Sequence, residues 1–139
     1  RPREANHDAD LYRLYQKEAA RIEAQGGRNL RVILDYELKA KIHRDLARLG
    51  AAAQREVAAW HGLRVVENKI PVPDLRIEYE TRDGELASVD LELVTQNYGG
   101  RAAADKAHAG FSLYTPHGET GHLRRVLGAR GLTREILSL

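Results

Sequence analysis

Two alternating runs separated by an aspartate and a glycine constrain this chain more than any other feature. In the first, from Pro73 to Glu80, the apolar Leu75, Ile77 and Tyr79 alternate with Asp74, Arg76, Glu78 and Glu80. In the second, from Ser88 to Thr95, Val89, Leu91 and Leu93 alternate with Ser88, Asp90 and Glu92. A period of two over such lengths predicts two half-buried strands, and Asp83-Gly84 between them predicts a hairpin. Directly opposed residues of an antiparallel pair share a face. The apolar odd positions of both strands must therefore meet, so opposed numbers sum to an even value and the loop has an odd length. A tight Asp83-Gly84 turn would set Ile77 against Asp90 and mismatch the faces. A loop of residues 82–84 instead sets Leu75 against Leu91, Ile77 against Val89 and Asp74 against Glu92.

That register gathers Asp74, Asp90 and Glu92 on one side of the sheet. Carboxylates brought together repel unless protons or a cation intervene. An all-oxygen set of this kind suits a hard ion, Mg²⁺ or Mn²⁺. The plainer alternative is an acidic solvent face on an ordinary hairpin.

The 139 residues amount to one domain, long enough for a single sizeable core. Hydrophobic residues make up 42% and charged residues 30%, a globular rather than a disordered balance. Cysteine is absent, which excludes disulfides, thiolate metal sites and a cysteine nucleophile. No apolar run approaches the roughly 20 residues of a membrane helix and no signal peptide is visible, so the expectation is a cytoplasmic protein with no membrane partner. The net charge of +2 is compatible with a polyanion without demanding one. The chain lacks methionine and begins Arg-Pro, so the expectation is a fragment or processed product of a longer protein.

In chain order, residues 1–7 read as a tail. Leu11, Leu14, Tyr15, Ala19 and Ile22 then form a helical stripe that ends at Gly26-Gly27. Leu30 to Leu34 reads as a buried strand. Leu38, Ile42, Leu46 and Leu49 mark a second helix, and residues 52–61 a third, with Val57 and Trp60 as core anchors. Pro71 and Pro73 lead into the hairpin. Arg101 to Ala109 is an alanine-rich helix bearing Lys106 and His108, and Phe111 to Tyr114 a last short strand. Two terminal helices are expected on Leu123, Val126 and Leu127, then on Leu132, Ile136 and Leu137. The whole predicts an α/β fold, a mixed β-sheet flanked by helices, with a 7–115 core and a helical extension over 116–139.

That order, with Pro73-Asp74 opening one strand and Asp90-Leu-Glu92 in the next, resembles the restriction-endonuclease-like PD-(D/E)xK fold, whose core runs helix, three strands, helix, strand. Within it the likeness is to the plasmid replication-relaxation family, carried by Asp90 and Glu92, Thr95, Lys106 and Tyr114, with His7-Asp8 ahead of the first helix. The resemblance implies a metal held by Asp74, Asp90 and Glu92, with a lysine that helps activate water. The usual strand lysine is Val94 here, so either Lys106 has taken over from the neighbouring helix or catalysis is lost.

The candidate catalytic set is therefore Asp74, Asp90, Glu92 and Lys106, the first three also as ligands of Mg²⁺ or Mn²⁺. His7 and His108 are possible assistants. Tyr98 and Tyr114 are candidates for a transesterifying hydroxyl, with Tyr114 better explained as a packed aromatic. Lys39, Lys41, Arg44 and Arg48, with Arg101, Arg124, Arg125 and Arg130, are candidates for phosphate contacts, or simply a solvated face. Two functions follow: a metal-dependent DNA-cleaving or DNA-relaxing domain of a plasmid replication or mobilisation protein, or a non-catalytic descendant that binds DNA or a replication partner.

Overall fold

The computed structural model describes residues 2–95, 99–116, 120–130 and 136–138. Helix α1 (Pro2–Ala24) leads into β1 (Arg28–Leu34), followed by α2 (Asp35–Leu49). A 3₁₀ turn at Ala51–Ala53 runs into α3 (Gln54–Trp60). The hairpin β2 (Leu75–Glu80) and β3 (Leu86–Leu93) comes next, then α4 (Gly100–His108), β4 (Ser112–Thr115), α5 (Thr120–Gly128) and β5 (Ile136–Ser138). Among the described residues the strands form one mixed sheet in the order β1-β2-β3-β4-β5. The β1/β2 and β2/β3 pairs are antiparallel; β3/β4 and β4/β5 are parallel. No helix among the described residues is long and apolar enough to cross a membrane.

The hairpin has the even-sum register. Leu75 faces Leu91 and Ile77 faces Val89. The Thr81 N–H donates to the Glu85 carbonyl at 2.8 Å, closing a loop of residues 82–84. Gly84 sits there at φ +83°, the left-handed conformation that glycine tolerates best. The parity of the loop sorts the sheet into two faces. Leu75, Ile77, Leu91, Leu93 and Tyr114 pack with Leu14 and Ile22 of α1. On the other face Val94 and Leu113 pack with Ile42, Val57, Ala103, Phe111, Leu123 and Leu127.

Several local expectations need correction. Helix α1 begins at Pro2, so the segment read as a tail is helical. β1 is the outermost strand of the sheet, so Val32 and Leu34 are exposed rather than buried. Trp60 is not a core anchor, being 57% exposed at the end of α3. The chain turns there through Gly62 at φ +68°, with the Leu63 N–H donating to the Ala58 carbonyl and the Gly62 N–H to the Ala59 carbonyl. That glycine-centred cap carries Leu63 into the core while Trp60 stays on the rim. The second terminal helix is also overturned where it can be seen. Ile136–Ser138 is strand β5, parallel to β4, because a short apolar run fits either period and the open edge of β4 decides. Leu132 lies outside the described residues.

A candidate site of two carboxylates and a lysine

The chain reaches β2 through Pro71-Val72-Pro73, and Asp74 is the last residue before the strand. The even-sum register brings it beside Glu92, and the backbone ties the two together. The Asp74 N–H donates to Glu92 Oε1 at 3.0 Å, and the Leu93 N–H donates to Asp74 Oδ2 at 2.8 Å. Glu92 is 1% exposed. A buried carboxylate is costly unless it is paired and hydrogen-bonded, and the charge partner comes from α4. Ala103, Ala104 and Ala107 are buried there, small side chains that let the helix lie close on the sheet. Lys106 leaves the same helix to place Nζ 3.3 Å from Glu92 Oε2. It also donates to the Val72 carbonyl at 2.8 Å, and its ammonium stands 5.6 Å from the Phe111 ring centroid. Strand entry, hairpin and helix are thus joined at one ammonium.

Burial pushes the Asp74 carboxyl above its ordinary range. The Leu93 N–H, the His7 imidazole and the Lys106 ammonium pull it back, and Asp35 adds to the rise. Asp74 thus stands half-buried at the wall of a cleft. Here a cleft of about 690 Å³ is lined by Asp74, Glu92 and Lys106, with Asp35, Lys39 and His43 of α2 and Lys69 among the other residues.

Asp90 does not join this group. Arg76, directly across the hairpin, holds both of its oxygens, Nε to Oδ1 at 2.6 Å and a second nitrogen to Oδ2 at 3.1 Å. The three acids share a face, but the third is closed off by a guanidinium that alternation had placed on the same face. Among the described residues no group of three or more His, Asp or Glu side chains is arranged to hold a metal. The remaining pair still has a defined chemistry. Mg²⁺ keeps several waters and is commonly bound by one or two carboxylates plus substrate phosphates. Both Glu92 oxygens are already engaged here, Oε1 by the Asp74 N–H and Oε2 by the Lys106 ammonium.

The other sequence candidates scatter. Lys39 lines the cleft and pairs with Asp35 at 3.3 Å. Lys41 and Arg44 are exposed on α2, as are Arg124 and Arg125 on α5. Arg101 is bound to Glu67 at 2.6 Å on the surface, and Arg48 lies 3.8 Å from Asp45. Arg130 is exposed beyond α5, and His108 is exposed on α4. Tyr114 is buried on the opposite face, its hydroxyl donating to the fully buried Glu18 of α1, which also pairs with Arg21. Tyr98 lies outside the described residues. Val94 is buried among Ala103, Leu113 and Leu123.

Sequence reasoning passed over Asp35, Arg76 and the Val72 carbonyl, and Glu18, expected on the water-facing side of the first helix, is fully buried. Arg76 was legible, since pairing at even sum puts it opposite Asp90. The other three depend on how helices and loops pack, which no spacing encodes. No family model, no curated protein and no solved structure matches this chain.

Proposed function

We propose that this chain is a nuclease-fold domain of the replication-relaxation type that acts on DNA phosphodiesters, with Asp74 and Glu92 holding a divalent cation, Mg²⁺ or Mn²⁺, and Lys106 completing the site. The observation that carries the reading is the Lys106 ammonium 3.3 Å from Glu92 at the wall of a cleft that both line with Asp74. The element order supports it too: with α2 and α3 set aside as an insertion, the chain runs helix, three strands, helix, strand. When bound, a divalent cation polarises a phosphodiester and lowers the pKa of its water. The chain's own contribution is electrostatic and positional. Lys106, fixed by Val72 and Glu92, offers positive charge where a phosphorane develops negative charge. Lys39 and Lys69 on the cleft wall can neutralise flanking phosphates.

The test is nicking of supercoiled plasmid in Mg²⁺ and in Mn²⁺ by the wild type, Lys106→Ala and Glu92→Gln. Cation-dependent nicking that both substitutions abolish is expected. Activity retained by both variants would remove the site from the chemistry.

A second reading is a non-catalytic domain that binds DNA through the same cleft. Its support is that Glu92 already has a cation partner and that Arg76 occupies Asp90. Salt-sensitive DNA binding without nicking, unchanged by Glu92→Gln, would select it.

A further inference from the structure

Strand β1 is a free edge among the described residues, since its one neighbour in the sheet is β2. An edge strand presents unpaired N–H and C=O groups, which proteins blunt with bulges and charges. Half of β1 is blunted in this way. The register slips between Arg28 and Arg31, Asn29 sits at φ +55°, and both arginines are exposed. The other half is not. Val32, Ile33 and Leu34 pair in unbroken register with Ile77, Arg76 and Leu75.

A cleft of about 530 Å³ lies along this regular half. Val32 and Leu34 oppose Ile77 and Leu75, whose side chains pack under α1, so both belong to the α1 face of the sheet. They meet Tyr12 and Tyr15 of α1 there, with Tyr36 at the start of α2. Among the described residues seven large hydrophobic side chains are exposed, and four of them line this one cleft: Tyr12, Val32, Leu34 and Tyr36. Tyr12 and Tyr36 are 63% and 64% exposed. Exposed apolar surface gathered at one place marks an interaction site, whereas scattered residues need no explanation.

The charge around the groove selects its occupant. Asp8, Asp35 and Asp74 line it, and no Lys, Arg or His does so among the described residues. Lys39 pairs with Asp35 from the neighbouring cleft, and Asp74 is already acted on by His7 and Lys106, which leaves Asp8 as the carboxylate that faces the groove. A polyanion is disfavoured there. A lysine or arginine is favoured, both by the carboxylates and by the faces of the tyrosines.

We propose that Val32–Leu34 accept an extended segment of a partner protein as an added strand, with an apolar side chain against Val32 and Leu34 and a Lys or Arg two positions away directed to Asp8. Main-chain pairing at a free edge supplies affinity in this mode, and a groove that takes alternate side chains supplies specificity. The inference does not depend on the phosphodiester reading.

The probe is acetyl-Thr-Arg-Thr-Val-Thr-Val-amide, titrated into the full chain and followed by amide chemical shifts and hydrogen exchange. Expected are shifts confined to residues 8–15 and 31–36, with protection of those amides of Val32–Leu34 that point away from β2. Replacing the arginine by glutamate, methylating alternate peptide nitrogens, or introducing Tyr12→Ala or Val32→Asp should each weaken binding about tenfold. Both variants should melt as the wild type does, because Tyr12 and Val32 are exposed. Equal binding of the acidic peptide, shifts mapping elsewhere, or no saturable shift would overturn the proposal. So would a dimer in sedimentation that Val32→Asp dissociates, which would make a second copy the occupant. A single-stranded oligonucleotide producing the same shifts would overturn it in favour of nucleic acid.

Discussion

Arg76 and Asp90 face each other across the hairpin and share two hydrogen bonds, at 2.6 and 3.1 Å, with both side chains largely removed from water. Removing one partner of such a pair strands the other, at a cost of about 3–5 kcal/mol. Arg76→Ala should therefore lower the unfolding free energy on that scale. Replacing both residues, as in Arg76→Met with Asp90→Leu, should recover most of the loss. Urea denaturation of the three proteins checks this. Equal losses in the single and double variants would show that Arg76 acts by packing alone.

The Lys106–Glu92 contact makes a different prediction. Glu92 is buried while Lys106 keeps part of its side chain in solvent. The Asp74 N–H would still reach Glu92 in Lys106→Ala. The loss should fall at the low end of the buried-pair scale, about 3 kcal/mol. Glu92→Gln should cost less, because it removes the charge and keeps the acceptor. Thermal melts of both variants decide the order, and a larger loss in Glu92→Gln would place the charge's partner elsewhere.

Asp74 gives a pH dependence with a fixed sign. Burial raises its folded-state pKa above the ordinary 3.8, so between the two values the folded chain holds more protons than the unfolded one. The contribution of Asp74 is complete below 3.8 and is lost as pH rises through the higher folded value. Asp74→Asn can still accept from Leu93 and carries no charge to desolvate. It should be more stable than the wild type at neutral pH, with the gap closing as pH falls. Denaturation from about pH 3 to pH 8 tests this. A gap that widens toward acid would reverse the sign and remove burial as the cause.

Much of the sheet was legible because the side-chain period of a strand is rigid. One parity argument on Leu75, Ile77, Val89 and Leu91 fixed the loop length and put Asp74 beside Glu92. Burial was less legible, since it depends on the order of strands. Leu30 to Leu34 has the composition of a core strand, and only the sheet order reveals it as an edge. Trp60 failed for a similar reason, because the Gly62 turn and not the residue's hydrophobicity decided what entered the core. At the site, Lys106 was legible only through the resemblance to nuclease folds, which expects a lysine near the acids. The removal of Asp90 by Arg76 was present in the same alternation, which sets position 76 opposite position 90. Asp35 and the Val72 carbonyl arrive by packing alone.

The last prediction separates hydrolysis from transesterification. A tyrosine that forms a covalent link to phosphate must present its hydroxyl to the cleft beside the acids. Tyr114 belongs to the opposite face, because it pairs with Leu93 on β3 and packs with the α1-side core. Its hydroxyl donates to Glu18, which has no exposed surface. Tyr114→Phe removes that donor and leaves Glu18 to Arg21, so it should destabilise the chain by about 1–3 kcal/mol. On the proposed phosphodiester reading, nicking measured well below the melting temperature should be unchanged, with no protein covalently attached to the cut strand. Denaturing electrophoresis of the reaction, alongside a melt of the variant, provides both readouts. A folded Tyr114→Phe that no longer nicks, or a wild-type protein–DNA adduct that the variant lacks, would make Tyr114 the nucleophile.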